Sequence, residues 1–119
     1  MNPPRRPSDR PEAGAAPLTP AVFHILLALA EGPLHGYAIM KAVAQSAGPG
    51  LAMGPGTIYG SLQRMEEAGL VTDSPHPGGD RRRCFMLLPA GRRALAAEAE
   101  RLTRLASLVR ARNLLRREA

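Results

Sequence analysis

The chain has 119 residues and a mass of 12.7 kDa, which is material for one domain with a small core. Its single cysteine, Cys84, excludes an internal disulfide framework and a cysteine-based zinc cluster, and it indicates a reducing, cytoplasmic setting. A net charge of +6 and an isoelectric point of about 11.0 favour a polyanionic partner.

The chain divides into three parts by composition. Residues 1–17 are rich in proline and arginine and are predicted to be a disordered arm. Residues 18–88 hold short amphipathic segments that form the predicted head, and residues 89–119 are predicted to form one long helix. Two interpretations of the arm stay open. It is either an inert tail or a basic extension that contacts the partner through Arg5, Arg6 and Arg10.

The first predicted helix begins after Thr19, a plausible N-cap, with Pro20 in the first helical position, and it ends at the following Gly-Pro pair. It carries one apolar stripe for the core and a second stripe that contains Phe23 and Leu27. A helix that is apolar on most sides is buried on most sides, so we expect something beyond the head to cover the second stripe. The apolar run at residues 21–30 is too short to span a membrane.

A second helix is predicted over residues 34–48 and a third over residues 54–69, where Gly54 caps the helix and Pro55 opens it. In the third helix the apolar side chains recur at i, i+4 and i+7, and the opposite face is polar or small. Gly60 lies on that opposite face, where glycine costs about 1 kcal/mol relative to alanine. The helix must therefore gain something from having no side chain there.

A β-hairpin is predicted next, with strands at residues 70–74 and 83–88 joined by a segment rich in Pro, Gly and Arg. The C-terminal helix then shows a partial heptad pattern and extends beyond a small head. Its apolar side and the spare stripe of the first helix fit a two-fold dimer. The predicted dimer interface consists of Phe23, Leu27, Leu95, Leu102, Leu105, Leu108, Val109 and Leu115.

Three helices, a hairpin with a basic tip and a long last helix predict a mainly α fold with a small β-hairpin. This is the arrangement of a winged helix-turn-helix head followed by a C-terminal dimerisation helix. In that fold the third helix enters a DNA groove, and a side chain at Gly60 would hold the helix away from it. The alternatives are that Gly60 is a packing accident or that it relieves a clash with a neighbouring helix.

Three segments stand out in collinear order: LALAEGPLHGYAIMKAV, GPGTIYGSLQRMEEAGLV and GGDRRRCFMLLPAGRRAL. In these segments the chain resembles the PadR family of bacterial transcriptional regulators, over residues 19–95. The HGY and PGTIY pieces are fairly specific in combination. The resemblance implies a winged helix-turn-helix head, a C-terminal dimerisation helix, and repression that is relieved by a small molecule or another signal.

Two features depart from the family pattern. Leu88 stands where family members commonly have a polar residue before the Pro-x-Gly that opens the last helix, so this helix is expected to lose its N-cap or to be entered differently. Some members hold planar ligands between Trp side chains at the dimer interface. This chain has no Trp, so that mode of effector binding is excluded.

The outward face of the third helix supplies most of the predicted DNA contacts. The hydroxyls of Thr57 and Ser61 suit phosphate. Gln63 suits adenine and Arg64 suits guanine in the major groove. Tyr59 either reaches the DNA backbone or packs its ring on the second helix. The full predicted set, in which the last three residues form the wing patch, is Lys41, Thr57, Tyr59, Gly60, Ser61, Gln63, Arg64, Arg81, Arg82 and Arg83.

Catalytic and metal-binding patterns are not found. His24, His35 and His76 lie on three separate elements, and His35 is expected to cap or pack at the start of the second helix. Without a nucleophile–base pair or a phosphate loop, the chain is predicted not to be an enzyme and to use no cofactor. The predicted function is transcriptional regulation by a homodimer on double-stranded DNA. The alternative is a winged-helix module that binds proteins and not DNA.

Overall fold

The computed structural model describes residues 17–50, 53–74 and 83–115. These residues form four α-helices and one three-stranded antiparallel sheet, which confirms a mainly α fold with a small hairpin. The helices are α1 Pro20–Ala28, which continues as a 3₁₀ turn Leu29–Glu31, α2 Gly36–Ala47, α3 Pro55–Glu67 and α4 Pro89–Ala111. The strands are β1 Leu34–His35, β2 Val71–Ser74 and β3 Cys84–Leu87. Residues 1–16 of the predicted arm, and Arg81 and Arg82, lie outside the described residues.

Local capping signals set the helix boundaries much as the sequence predicts. The Thr19 hydroxyl accepts a hydrogen bond from the Val22 amide at 3.2 Å and caps α1. The Nδ1 of His35 accepts from the Ala38 amide at 3.2 Å, so His35 is confirmed as the cap of α2. Gly69 follows α3 with a φ of +78°, a left-handed conformation that favours glycine.

The sheet contains a strand that the sequence pattern does not predict. β1 occupies residues predicted as the start of the second helix, and it pairs Leu34 with Phe85 and His35 with Cys84. Two residues are too few to show the alternation of a strand. Since β3 also pairs along its length with β2, the sheet order is β1–β3–β2 and the central strand is β3.

The core lies between the first three helices, the sheet and the first turns of α4. Phe85 on the central strand is fully buried. Leu95 is 9% exposed and belongs to this core, so its predicted place at a dimer interface is wrong: the first turns of α4 still pack on the head. The other buried members are Ile25, Leu26, Leu29, Ile39, Val43, Ile58, Leu62, Met65, Val71 and Leu87.

A close backbone contact and a buried charge seat α4 on the head. A Cβ at Gly91 would lie 3.0 Å from the Leu70 carbonyl carbon and closer to its oxygen, so a larger residue does not fit there. Glu98 is 6% exposed, pairs with the Arg101 guanidinium at 2.5 Å and accepts a hydrogen bond from the Leu18 amide at 3.4 Å. The Arg101 hydrogen bond outweighs burial and holds the pKa of the Glu98 carboxyl below its ordinary value.

Most of the predicted dimer residues lie on the surface of the single chain. The exposed ones are Leu27, Leu102, Leu105, Leu108 and Leu115, and Val109 is partly buried. Phe23 is partly buried against the core. An unpaired apolar strip therefore follows the outer half of α4. Within the described ranges, no helix combines the length and the apolar composition that crossing a membrane requires.

The start of α4 lacks a polar N-cap, as the presence of Leu88 predicts. Leu88 occupies the N-cap position with an extended backbone, and its side chain makes no capping hydrogen bond. Its amide donates instead to the Leu70 carbonyl at 3.0 Å. The entry to α4 is thus fixed by a backbone contact to the turn after α3 and not by a polar side chain.

Candidate nucleic-acid interface

Small and polar side chains form the outward face of α3. Thr57, Gln63 and Arg64 are exposed, and Gly60 lies among them. A Cβ at Gly60 would meet only the Arg64 Nη1 among the described residues, at 3.6 Å, which is an ordinary van der Waals contact. No helix in the described part of the chain therefore requires glycine here, which excludes a clash with these helices and leaves DNA contact and a packing accident as explanations.

The structure corrects the predicted position of Ser61. This residue is 3% exposed, because it shares the i, i+3, i+4, i+7 stripe of Ile58, Leu62 and Met65. Its hydroxyl accepts a hydrogen bond from the Arg64 Nη2 at 3.3 Å. Ser61 thus faces the core, and its hydroxyl helps to orient the Arg64 guanidinium. The hydroxyl does not lie on the outward face of α3, where a phosphate would approach.

Tyr59 packs its ring against the first residue of α2. A Cβ at Gly36 would lie 2.8 Å from the Tyr59 Cε1 and closer to the phenol oxygen, so glycine at this position makes room for the ring. Of the two roles open for Tyr59, the structure shows the packing role. The ring stays half exposed and borders an apolar depression that is lined by Gly36, Tyr37, Met40, Pro55, Ile58 and Tyr59.

The start of α2 presents a polar cluster beside this depression. Tyr37 is exposed and its ring stacks on His35, with 6.4 Å between the centroids. The Lys41 Nζ lies 5.6 Å from the centroid of the Tyr37 ring, as expected for residues four apart on a helix. Lys41 is exposed, as a phosphate contact requires. Tyr37 is absent from the residues predicted from the sequence, although its spacing from Lys41 could have indicated it.

Arg83 connects the wing hairpin to α3. Its Nε donates to the Asp73 Oδ1 at 2.6 Å, and its Nη2 donates to both carboxylate oxygens of Glu66 at 2.8 Å. Its guanidinium carbon lies 4.7 Å from the centroid of the Phe85 ring. The hydrogen bond to Asp73, supported by Glu66, raises the pKa of Arg83 above its already high ordinary value. The Arg83 side chain is 53% exposed, and its charge is already paired with two carboxylates of the same chain, which compete with a DNA phosphate for the guanidinium.

His24, His35 and Cys84 serve the fold, and His76 lies outside the described residues. The His24 Nδ1 lies 2.8 Å from the Ser46 hydroxyl and links α1 to α2, and His35 caps α2. Cys84 is buried in β3. In the part of the chain that the structure describes, no three or more His, Cys, Asp or Glu side chains are grouped so that they could hold a metal ion.

Comparison with known sequences identifies the family. The model of the "Transcriptional regulator PadR-like family" matches residues 25–97. A Streptomyces fradiae protein described as an uncharacterized 37.1 kDa protein in transposon TN4556 is 48% identical over 85 residues, which are 71% of this chain and only 24% of that protein. The Mycobacterium tuberculosis protein described as transcriptional regulator Rv3488 is 34% identical over 85 residues, which are 71% of this chain and 77% of that protein.

Solved structures show the same fold. A PadR family transcription regulator from Clostridium difficile gives a TM-score of 0.67 at 19% identity, over 78% of this chain and 97% of that one. A probable transcriptional regulator from Pseudomonas aeruginosa gives 0.65 at 29% identity, over 83% of this chain and 68% of that one. Bacillus subtilis PadR, crystallised in complex with operator DNA, gives 0.55 at 23% identity, over 63% of this chain and 44% of that one. Helix order, winged sheet and sequence agree, and the chain belongs to the PadR-like family of transcriptional regulators.

Proposed function

We propose that this chain is a DNA-binding repressor that acts in the cytoplasm as a homodimer on an inverted-repeat operator and is released by a small-molecule effector. The outward face of α3 is the observation that supports DNA binding best. Exposed Thr57, Gln63 and Arg64 surround Gly60, whose missing side chain nothing in the described part of the chain requires. A helix that is flat at its centre lets its backbone approach the floor of a major groove closely.

The side chains around Gly60 divide into base-reading and phosphate-binding groups. We assign Gln63 to adenine and Arg64 to guanine, since their bidentate donors and acceptors match those base edges. The hydrogen bond from Arg64 to the Ser61 hydroxyl limits the motion of the guanidinium before DNA arrives. Thr57 and Lys41 reach phosphates on either side of the groove and set the register of α3.

The wing supplies a second contact in this proposal. Arg81 and Arg82 directly precede Arg83 in the sequence and follow a Gly-Gly pair. Consecutive arginines at the tip of a hairpin suit the phosphates or the narrow minor groove beside the major-groove site. These two residues add affinity that is shared by all sequences, whereas α3 provides the discrimination between sequences.

The dimer is supported by the apolar strip on α4. Leu102, Leu105 and Leu108 are exposed in the single chain, and so is Leu27 on α1. A two-fold pair of chains would bury these side chains in one self-complementary interface. Two α3 helices would then face half-sites about 34 Å apart, or a multiple of that distance. An effector that binds at this interface would act by favouring another separation of the two heads.

The comparisons support the proposal at the level of the family. The Bacillus subtilis PadR structure shares the fold, and that protein was crystallised with operator DNA. The Mycobacterium tuberculosis relative is described as a transcriptional regulator and matches over most of its length. The outward face of α3 here is polar, with Gln63 and Arg64 exposed, which favours DNA over a protein partner.

The test is binding to duplex DNA from upstream of the chain's own gene, measured by fluorescence anisotropy over a salt series. A scrambled duplex of the same length and composition serves as control. We expect affinity to fall steeply with salt and to be at least about 10³-fold higher for the specific duplex. Footprinting of the bound duplex should show two protected half-sites related by a two-fold axis.

Each other outcome has a distinct meaning. A steep salt dependence without sequence preference would reduce the proposal to a non-specific basic surface. An absence of binding at low salt would refute DNA recognition and favour the protein-interaction module. A single protected half-site, with a monomer in sedimentation velocity, would refute the inverted-repeat dimer while leaving DNA binding intact.

A further inference from the structure

Arg83 lies between the two elements that the proposed function brings to DNA. Its guanidinium bonds Glu66 at the end of α3 and Asp73 on β2, while its own backbone leads into β3. Two of its three side-chain nitrogens therefore already donate to carboxylates. The guanidinium lies over the ring of Phe85, which is fully buried. The three paired side chains, Arg83, Glu66 and Asp73, are therefore in contact with the hydrophobic core through Phe85.

The charges of this network argue against direct phosphate contact by Arg83. Glu66 and Asp73 together carry two negative charges beside one guanidinium, and a phosphate placed on Arg83 would meet both carboxylates. The hydrogen bonds from Nη2 to both oxygens of Glu66, and from Nε to Asp73, restrict the relative orientation of the three side chains. The geometry suits a clamp between two elements of the fold.

We propose that Arg83 is a positioning residue, which holds the wing hairpin at a fixed angle to α3 through Glu66 and Asp73. This inference rests on the proposed DNA binding by α3 and the wing. Arg82 and Arg81 precede Arg83 in the chain, and consecutive Cα atoms are about 3.8 Å apart. Fixing Arg83 therefore limits how far the two arginines assigned to DNA can lie from α3.

Glu66→Gln separates this role from direct contact. If Arg83 bound phosphate, Glu66→Gln would free its guanidinium, remove a negative charge from the DNA side and strengthen binding. If Arg83 positions the wing, the same change loosens the clamp and weakens binding, by about fivefold at low salt, where ion pairs are screened least. The matched control is Glu67→Gln, which makes the same change one residue along α3 at an exposed side chain outside the network. It should bind as tightly as the wild type or more tightly.

Hydrogen exchange gives a second readout that does not depend on DNA. In the free protein, Glu66→Gln and Arg83→Gln should each speed exchange of the β2 and β3 amides relative to those of α1, and Glu67→Gln should not. If the wild type binds no DNA, the proposed function fails, and exchange alone decides whether the clamp exists. Tighter DNA binding by Glu66→Gln, or hairpin exchange that both variants leave unchanged, would overturn the positioning role.

Discussion

Replacing Gly60 with alanine should make the protein more stable and its DNA binding weaker. The added methyl group meets only the Arg64 Nη1 in the described part of the chain, at 3.6 Å, so it fits without displacing any neighbour. Alanine favours a helix interior over glycine by about 0.5–1 kcal/mol, through backbone entropy in the unfolded chain. We therefore expect the free energy of unfolding of Gly60→Ala to rise by about that amount.

DNA binding should change in the opposite direction. A methyl group at the centre of a close helix–groove contact is an overpacking defect, which costs about 1–3 kcal/mol. The affinity for the specific duplex should fall by about tenfold, since about 1.4 kcal/mol corresponds to a factor of ten. Urea unfolding followed by circular dichroism and anisotropy titrations should be made on the same preparations at equal protein concentration, because the proposed dimerisation would couple to stability.

The control makes the opposite substitution, from alanine to glycine, at a helical position away from the proposed DNA-binding face. Ala96→Gly on the exposed face of α4 should lower the free energy of unfolding by about 0.5–1 kcal/mol and leave the affinity for DNA unchanged. A Gly60→Ala variant that is more stable and binds DNA as tightly as the wild type would refute the reasoning. Gly60 would then lie outside the contact, and the main support for DNA recognition by this face of α3 would be lost.

Four other substitutions test separate parts of the structure. Gly91→Ala should lower the free energy of unfolding by about 2–3 kcal/mol in urea, because its Cβ would strike the backbone of Leu70, and a near-neutral effect would contradict this packing. Glu98→Gln should lower stability by about 1 kcal/mol at pH 7. The native pKa of Glu98 is lowered, so its contribution is present above the ordinary value of 4.5 and is lost as the pH falls through the native value; unfolding curves from pH 7 to 3 should converge with the wild type at acid pH. Leu105→Glu should leave the helical spectrum unchanged and shift sedimentation velocity to the monomer, whereas a persistent dimer would exclude this strip as the interface. Arg82→Ala should weaken binding to all duplexes alike and reduce the salt slope by about 1, and an unchanged slope would remove Arg82 from the interface.

The sequence predicts the helices well because their ends carry local signals. Thr19 before Pro20, Gly54 before Pro55 and the left-handed Gly69 act within one helical turn, so no knowledge of tertiary contacts is needed. β1 escapes prediction for the opposite reason. A two-residue strand exists only because β3, about 50 residues further along the chain, lies beside it.

The candidate site is predicted less evenly. Ser61 is misplaced although its spacing from Ile58 and Leu62 already indicates the buried stripe, since a polar side chain in that stripe counts against the pattern. Arg83 could not be separated from the two arginines before it, because its partners come from α3 and β2 and meet only in the folded chain. Leu95 follows the heptad spacing of α4, and the sequence does not show where the helix leaves the head.

The central position of β3 has a mechanical consequence. β1 ends at His35, which caps α2, and β2 follows α3 after a short turn. The central strand β3 hydrogen-bonds to both β1 and β2, so it is tied to both helices of the helix-turn-helix. A shift of β3 by one residue would turn Phe85 out of the core, which blocks sliding of the wing against the helices. Each head should then move as a single rigid body. If two chains pair as proposed, an effector would change the distance between two rigid heads and leave the internal structure of each head unchanged.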